Sequence, residues 1–294
     1  MSEPDGTGAD VFGTHRDLLF TVAYEMLGSA ADAEDVVQEA WLRWADVDQE
    51  EVRDARAYVV RIVTRLALNQ MRTLSRRRES YVGPWLPEPL LTGPDVADDV
   101  VLSEAVSIAM LVVLETLTPT ERAVFVLREV FGFEHAEIAE AVDKTPAAVR
   151  QIAHRAREHV QARRPASRTP KAEQLEATRR FAAAAESGDL GGLLELIAPD
   201  VVLVTDGGGI KKAALRPIHG IEKVLRFVGA VLSDDAESRV GLVNGEPCLL
   251  MYDGGVLDSV ISVRITAGRV TEIYAVRNPD KLCRLESAVS LRRV

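Results

Sequence analysis

The sequence has few of the residues that build redox or metal sites. Its 294 residues include only two cysteines, Cys248 and Cys283, and five histidines. Two cysteines this far apart supply neither the ligand set of a structural zinc site nor a paired redox motif. We therefore expect no metal centre and no cofactor, and we interpret both cysteines as ordinary core or surface residues.

The chain also lacks long apolar runs and an excess of positive charge. No stretch approaches the roughly 20 apolar residues that span a bilayer, and the N-terminal residues through Asp17 show no basic segment followed by an apolar one. The expected location is the cytoplasm. A formal net charge of -10 argues against a general nucleic-acid-coating protein, so any DNA contact has to come from local basic surfaces.

The stretch from Phe133 to Arg164 predicts two short helices joined by a tight turn. The first covers residues 134–142. Thr145 is a good N-cap for the second, and Pro146 suits a first helical position because its missing N–H needs no partner there. Apolar residues recur in the second helix at three- and four-residue spacing and are expected to be buried. The opposite face, which we call the reading face, suits DNA bases and phosphates and comprises Lys144, Thr145, Ala147, Arg150, Gln151, His154 and Arg155. A solvated helix pair packed on a third helix is the alternative.

Residues 10–80 predict a module of three helices. The first covers His15–Leu27, the second Ala30–Ala45, and the third runs from Asp54 to about Arg78. One apolar face of the second helix, which includes Trp41 and Trp44, is expected to be buried. Beside it lies a polar stripe with one leucine, which suits docking to a helix of another protein unless it is merely solvated. This docking stripe comprises Asp35, Gln38, Glu39 and Leu42.

The third helix carries a one-sided series of cationic and amide side chains. Eight arginines lie between Arg53 and Ser80, against only Asp54 and Glu79. Such a series would repel itself without an anionic partner, and a phosphate backbone is one such partner. A solvated face is again the alternative. The series, which we call the arginine rail, comprises Arg61, Arg65, Asn69, Arg72 and Arg76.

These blocks together resemble a known family. DAEDVVQEAWLRW, then RAYVVRIVTRLALNQMRTLSRRRES, then LTPTERAVFVLREVFGFEHAEIAEAVDKTPAAVRQIAHRAR resemble bacterial sigma-70 family initiation factors of the extracytoplasmic-function (ECF) group. The resemblance covers about residues 10–162. It implies that residues 10–80 are region two, whose second helix docks on the beta-prime clamp helices of core RNA polymerase. It also implies that the arginine rail meets the minus-ten promoter element as its strands separate. Residues 106–164 would be region four, a helix-turn-helix whose reading face contacts the minus-thirty-five element.

Residues 81–105 predict a proline-rich, acidic linker. Four prolines between residues 84 and 94 exclude a continuous helix, so an extended, semi-rigid connector is expected. Leu90 and Leu91 belong to an apolar set that should partly rest in a groove. The motif WLPEP resembles the linker signature of a sigma-factor subgroup with an additional C-terminal domain, and comprises Trp85, Leu86, Pro87, Glu88 and Pro89.

Residues 171–294 predict an α+β domain, so the whole chain is expected to be multidomain, with two all-α modules followed by this domain. Helices are expected at 174–186, 189–197 and 221–232, on one side of a curved antiparallel sheet with strands at 201–205, 240–243, 248–252, 256–265 and 269–276. The layout resembles the SnoaL-like, NTF2-like cone. Two further signatures of the subgroup imply a surface that docks the linker or region two. They are Asp206, Gly207, Gly208 and Gly209, followed by an atypical Ile210, and Asn278, Pro279, Asp280, Lys281 and Leu282.

Two other functions remain open from the sequence. Some relatives of the cone fold are enzymes with a pocket aspartate, and Asp206, His219, Tyr252 and Asp253 are the residues to weigh, although their spacing gives no pair of base and orienting residue. The second alternative is a dimeric helix-turn-helix regulator with a ligand-binding C-terminal domain. We interpret the chain as a non-enzymatic sigma factor that directs core RNA polymerase to promoter DNA and is regulated in cis by its C-terminal domain. An unidentified small-molecule ligand of that domain stays open.

Overall fold

The computed structural model of the chain describes residues 7–163, 169–187, 189–231, 236–285 and 287–293. Arg164 and Leu232, at which two of the predicted segments end, lie outside these ranges. The chain divides into two compact units. The first comprises Met1–Arg77, Val113–Arg163 and Ser290–Val294, and the second comprises Arg78–Val112 and Arg164–Val289.

Helices make up the first unit and frame the sheet of the second. A 3-10 turn at Gln49–Glu51 and a π-helical turn at Val126–Val130 interrupt the regular series. In chain order the α-helices are α1 Thr7–Leu27, α2 Ala30–Ala45, α3 Ala55–Glu79, α4 Pro94–Asp98, α5 Val100–Ala105, α6 Ile108–Leu114, α7 Pro119–Phe125, α8 His135–Val142, α9 Pro146–Gln161, α10 Lys171–Ser187, α11 Leu190–Leu196, α12 Ile221–Gly229 and α13 Pro279–Leu282.

Capping residues set the helix starts in the first unit. Ser29 Oγ accepts a hydrogen bond from the backbone N–H of Asp32 at 3.2 Å, which fixes the start of α2. Thr145 Oγ1 accepts one from the backbone N–H of Ala148 at 3.2 Å, with Pro146 at the first position of α9. Each cap satisfies a backbone donor that the first turn of a helix leaves without a partner.

One apolar residue of α2 is placed differently from the prediction. Trp44 is fully buried, but Trp41 keeps 37% of its surface exposed, so its assignment to the buried face is wrong. Trp41 lies one residue before the exposed Leu42 and packs edge-on against Phe12 of α1, with ring centroids 5.2 Å apart. The apolar arc of α2 is therefore wider than the surface that α1 can cover.

The C-terminal residues of the first unit pack on α1. The backbone N–H of Arg292 donates to Thr21 Oγ1 at 3.0 Å, and the Arg292 guanidinium lies 3.5 Å from the carboxylate of Asp17. Leu291 is buried, with 2% of its surface exposed. A short terminal segment is thereby fixed to the third and fourth turns of this helix.

The linker is less extended than its prolines predict. Helices α4 and α5 occupy its second half, which corrects the expectation of an extended connector throughout. Gly93 is the N-cap of α4 and Pro94 stands at its first helical position, where a proline is tolerated. Asp99 then caps α5 by accepting from the backbone N–H groups of Val101 and Leu102, both at 3.0 Å.

The sheet of the second unit is mixed, whereas an antiparallel sheet was predicted. Strand order is β2-β1-β6-β5-β4-β3, and β1 pairs with β6 in parallel while the other pairs are antiparallel. Tight turns fix the antiparallel direction only from β3 to β6, and no such turn joins β1 to β6. A short strand, β2, was missed by the prediction. The strands are β1 Ile197–Asp206, β2 Ile218–His219, β3 Glu237–Val243, β4 Glu246–Asp253, β5 Val256–Thr266 and β6 Arg269–Val276.

The two faces of this sheet are covered by different parts of the chain. On one face, Phe181 of α10, Leu193 of α11 and Val224 of α12 pack on the sheet in one apolar cluster. On the other, Leu86 of the linker and Ile108 of α6 join a second cluster with alternate residues of β4, β5 and β6. This is the expected SnoaL-like, NTF2-like arrangement, with the linker built into the fold of the C-terminal domain.

Candidate nucleic-acid interface

The reading face of α9 is exposed throughout. Val149, Ala153, Ala156 and Val160 are buried on the opposite side, as the helical spacing requires. The exposed residues are Lys144, Thr145, Ala147, Arg150, Gln151, His154 and Arg155. Ala147 in the first turn leaves room for close approach to a groove floor, and the longer side chains that follow can reach base edges and phosphates.

The arginine rail lies along one side of α3. Arg65, Asn69 and Arg72 are exposed, and Arg61 is partly buried. Arg72 Nη1 donates to Asn69 Oδ1 at 3.1 Å, which holds these two side chains together on the helix surface. The backbone of Arg76 continues α3, but its side chain lies outside the part that the structure describes.

Two rail residues are bound to the last turn of α8. Arg61 Nη1 forms an ion pair with Glu140 Oε2 at 2.9 Å, and Arg65 Nη2 donates to the Glu140 carbonyl at 2.8 Å. Arg61 also lies 4.8 Å from the centroid of the Tyr58 ring. Sequence spacing could not have found this contact, because the partners are 79 and 75 residues apart.

The docking stripe of α2 is exposed beside an apolar groove. Asp35, Gln38 and Glu39 face solvent, and Leu42 keeps 62% of its surface exposed. A groove of about 470 Å³ runs next to them, and its lining includes Phe12, Arg16, Val37, Gln38, Trp41 and Leu42. Trp41 and Leu42 are exposed apolar side chains flanked by polar ones, and such a surface suits contact with a partner helix.

Asp206 lies where the linker attaches to the C-terminal domain. It is fully buried at the end of β1. Its carboxylate accepts hydrogen bonds from Tyr81 OH at 2.6 Å, from the backbone N–H of Leu86 at 2.8 Å and from Lys281 Nζ at 2.7 Å. Asn278 Nδ2 in turn donates to Tyr81 OH at 2.9 Å. The three signature motifs therefore meet at one buried carboxylate, which we call the linker seat.

Lys281 contacts the linker through both charge and aromatic surface. Its Nζ donates to the Leu86 carbonyl and lies 4.1 Å from the centroid of the Trp85 ring, while Arg78 lies 3.7 Å from the same centroid. Burial lowers the pKa of the Lys281 ammonium to about 8, although Asp206 favours its charged form. Burial, followed by the hydrogen bond to Asp206, raises the pKa of the Tyr81 phenol.

The other residues of the signature motifs are also placed by the structure. Pro87, Glu88, Pro89 and Leu282 are buried, while Pro279 and Asp280 begin α13.

The glycines after Asp206 are required by close approach. A Cβ on Gly207 would lie 2.3 Å from the carbonyl oxygen of Lys211, and one on Gly208 would lie 2.5 Å from the Asn278 side chain. Gly208 and Gly209 also have φ values of +63° and +75°, which other residues rarely adopt. The lysine that reaches Asp206 is Lys281. Lys211 instead pairs with Asp258 at 3.0 Å.

A second anchoring point of the linker was missed from the sequence. Asn244, fully buried in the turn between β3 and β4, accepts from the backbone N–H of Leu90 at 2.9 Å and donates to the Val106 carbonyl at 2.7 Å. A Cβ on Gly245 would lie 2.6 Å from Ser103 Cβ, so α5 packs directly on this turn. Asn-Gly between two strands predicts a hairpin, but nothing local shows that its side chain binds another segment.

The residues weighed for catalysis do not converge. Asp206 is occupied by the linker, whereas Asp253 is exposed at the end of β4 and His219 is exposed in β2. Within the described ranges, no cluster of three or more histidine, cysteine or carboxylate residues is placed to hold a metal ion. None of the helices in the described part of the chain is long and apolar enough to cross a bilayer.

Comparisons with known proteins cover most of the chain. The family model for Sigma-70 region 2 matches residues 11–77, and that for Sigma-70, region 4 matches residues 107–160. The ECF RNA polymerase sigma factor SigJ of Mycobacterium tuberculosis is 40% identical over 289 residues, which cover 92% of this chain and 91% of that protein. The probable ECF RNA polymerase sigma factor SigI of the same species is 32% identical over 286 residues, covering 96% and 97%. The crystal structure of M. tuberculosis SigJ matches with a TM-score of 0.75 and 35% identity, over 95% of this chain and 99% of that chain.

Proposed function

This chain belongs to the ECF group of sigma-70 RNA polymerase sigma factors, and we propose that its linker seat regulates, in cis, how its two helical modules direct core RNA polymerase to promoters. Residues 10–80 and 106–164 are the two modules in this proposal, residues 81–105 the linker and residues 171–294 the regulatory domain. Action on bacterial promoters would take place in the cytoplasm, and we propose that location for this chain.

Recognition of promoter DNA would use two surfaces of different kinds. The exposed reading face of α9 suits the edges of bases in the major groove of duplex DNA at the minus-thirty-five element. The arginine rail of α3 suits the phosphates of the minus-ten element once its strands have separated. The docking stripe and groove on α2 would receive the beta-prime clamp helices of core polymerase. None of these steps requires covalent chemistry from this chain.

The observation that carries the proposal of cis regulation is the complete burial of Asp206 beneath the linker. Its carboxylate accepts from a linker side chain, a linker backbone N–H and Lys281 at once. Removal of the carboxylate would leave these buried donors with weaker acceptors. Each donor left without an acceptor would cost about 1–3 kcal/mol of stability. The linker connects the two DNA-binding modules, so its attachment at the seat would control the geometry available to them.

The two alternative functions are less well supported. A dimeric helix-turn-helix repressor is not expected to contain Sigma-70 region 2, whose family model matches residues 11–77. The sigma factor family is in general non-enzymatic, and the one fully buried aspartate among the weighed residues is engaged by the linker.

Run-off transcription with core polymerase on a promoter library tests the main function. Wild-type protein should support transcripts from a subset of promoters, and failure to associate with core polymerase would refute the sigma-factor function.

Asp206→Asn tests the linker seat. We expect transcription initiation to fall several-fold as the linker loosens, with binding to core enzyme retained. Asp253→Asn, the same change at an exposed position of the same domain, is the matched control. Equal transcription from both variants would refute cis regulation through the seat.

A further inference from the structure

The π-helical turn Val126–Val130 supplies side chains that hold the helix-turn-helix. The turn is wider than an α-helical one, because the backbone N–H of Phe131 donates to the carbonyl of Val126, five residues back, at 3.4 Å. Arg128 Nη1 donates to the Phe133 carbonyl at 2.9 Å, two residues before α8 begins. A π turn holds one residue more than an α turn, so it changes the direction in which its side chains leave the helix.

The next residue of this turn, Glu129, binds the reading helix. Arg157 of α9 donates through Nε to Glu129 Oε2 at 3.2 Å and through Nη2 to Oε1 at 2.6 Å. The Arg157 and Glu129 side chains keep 44% and 28% of their surface exposed, and so exposed a pair contributes little stability. Two parallel hydrogen bonds from a planar guanidinium nevertheless fix the orientation of the two side chains as well as their distance.

Arg157 lies at the border between the reading face and the buried face of α9. It follows Arg150 by seven residues, which is almost two turns at about 3.6 residues per turn, so both side chains leave the helix on nearly the same side. Its position around the helix axis falls between those of Arg150 and the buried Ala153. A small rotation of α9 about its axis would therefore be resisted by Arg157 and would move Arg150 across the base edges.

We propose that the Glu129–Arg157 pair is a positioning contact for promoter reading, which fixes the rotation of α9 and thereby the base edges that the reading face meets. This inference rests on the proposed function. It adds to the determinants of sequence preference two residues that need touch no base. The π-helical turn is then the part of the module from which the reading helix is aimed.

A direct contact between Arg157 and a DNA phosphate is the rival role, and it predicts the opposite sign. Glu129 would then compete with DNA for Arg157, so removal of the Glu129 charge would strengthen binding to every duplex. A positioning role predicts instead that the preferred sequence is bound less well, while binding to other sequences is kept. The ratio of the two affinities separates these roles.

The test compares two promoter duplexes that differ only in the minus-thirty-five element, one selected in the run-off library and one scrambled. Glu129→Gln should lower the ratio of holoenzyme affinities about ten-fold, the size expected when one base pair is no longer read correctly. Glu176→Gln makes the same charge change on exposed α10 and is the control. Urea unfolding of both variants confirms that they are folded. Equal affinity ratios for the two variants would overturn the inference.

Two further variants test whether the paired hydrogen bonds carry the effect. Arg157→Lys keeps the charge but lacks the planar fork, and it should lower the ratio as Glu129→Gln does. The double variant Glu129→Gln, Arg157→Gln should lose no more than either single variant, because each change breaks the same contact. A wild-type ratio in Arg157→Lys, or a loss of about 100-fold in the double variant, would overturn the positioning role.

Failure of the inference can be told apart from failure of the proposed function. A wild-type preference for the selected element that persists in Glu129→Gln overturns the positioning role alone. A wild-type holoenzyme that shows no preference for any minus-thirty-five element would refute the proposed function itself.

Discussion

The reading face of α9 and the arginine rail of α3 are both cationic, but they differ in what their charges contact. On α9, Arg150 and Arg155 are exposed, and on the same face His154 Nε2 lies 3.6 Å from Glu158 Oε1 within the helix. On α3, Arg61 and Arg65 are held by Glu140 from another module. In the proposed function the reading face meets intact duplex and can stay exposed, whereas the arginine rail is needed only after the strands have begun to separate.

The difference follows from how each helix is buried. Helix α9 contributes a narrow apolar face of small and branched residues, and the reading face on its opposite side is exposed. Helix α3 packs its apolar residues more broadly, with Val59, Val60 and Val63 all buried. Its polar positions therefore lie close to neighbouring helices, and long arginine side chains reach acceptors there.

The largest effect is expected from charge reversal on the exposed surface. Arg150→Glu should weaken binding of the holoenzyme to duplex promoter DNA roughly 10- to 100-fold, since it removes one base or phosphate contact and adds a repulsion. Mobility-shift titration measures the change. Arg179→Glu on exposed α10 is the control, and a similar loss in that variant would show that net charge alone sets the affinity.

Charge reversal on the arginine rail should have a smaller effect, and at a later step, the opening of the DNA strands. Arg65→Glu should reduce strand opening by the holoenzyme about ten-fold, as seen by permanganate reactivity of the minus-ten element, because the released strand loses a phosphate contact. Duplex binding by the same holoenzyme should change less than about two-fold. If Arg65→Glu impaired duplex binding as strongly as Arg150→Glu, the distinction between the two surfaces would disappear.

The buried carboxyl between the modules should make stability depend on pH. Burial raises the pKa of Glu25 to about 8, against a partial opposing effect of Arg122. The folded chain therefore holds this proton more tightly than the unfolded chain, and the contribution is fully present below about pH 4.5 and is lost as pH rises through 8. The pKa of Arg122 is lowered to about 9, so Arg122 changes the pH dependence of stability only above this pH range.

Glu25→Gln should remove that dependence. The variant should gain roughly 2–3 kcal/mol over wild type between pH 5.5 and pH 7.5 in urea unfolding, because wild type loses about 1.4 kcal/mol for each pH unit over which only the folded chain keeps this proton. Glu176→Gln should follow wild type. A parallel pH profile for Glu25→Gln and wild type would show that this carboxyl is hydrated in the folded chain.

Local signals in the sequence were sufficient for most element boundaries. Ser29 and the Thr145-Pro146 pair fixed the starts of α2 and α9 because a cap acts on a backbone donor within three residues. Strand β6 was predicted with its observed bounds, 269–276, and the other predicted strands differ by a few residues at their ends. Such features depend only on neighbours along the chain.

Contacts between distant segments could not be predicted in the same way. The parallel pairing of β1 with β6, the anchoring of the linker by Asn244 and the occupation of Arg61 by Glu140 all join residues far apart in sequence. Each partner has an ordinary local role as well, in a strand, a turn or a helix face. For the WLPEP, DGGG and NPDKL motifs, the resemblance to a known subgroup suggested a common surface, but only the structure shows Asp206 at its centre.

The smallest expected effect concerns the salt dependence of DNA binding by the chain without polymerase. A cation that contacts a phosphate releases counterions, so its removal lowers the slope of log affinity against log salt by about 0.9 for duplex DNA. Lys144→Gln, at the exposed start of the reading face, should produce this decrease. Arg61→Gln should leave the slope unchanged within about 0.3, because Glu140 already neutralises Arg61 in the free chain. Titrations from about 50 to 200 mM salt measure both slopes, and an equal decrease for the two variants would mean that DNA displaces Glu140 without help from polymerase.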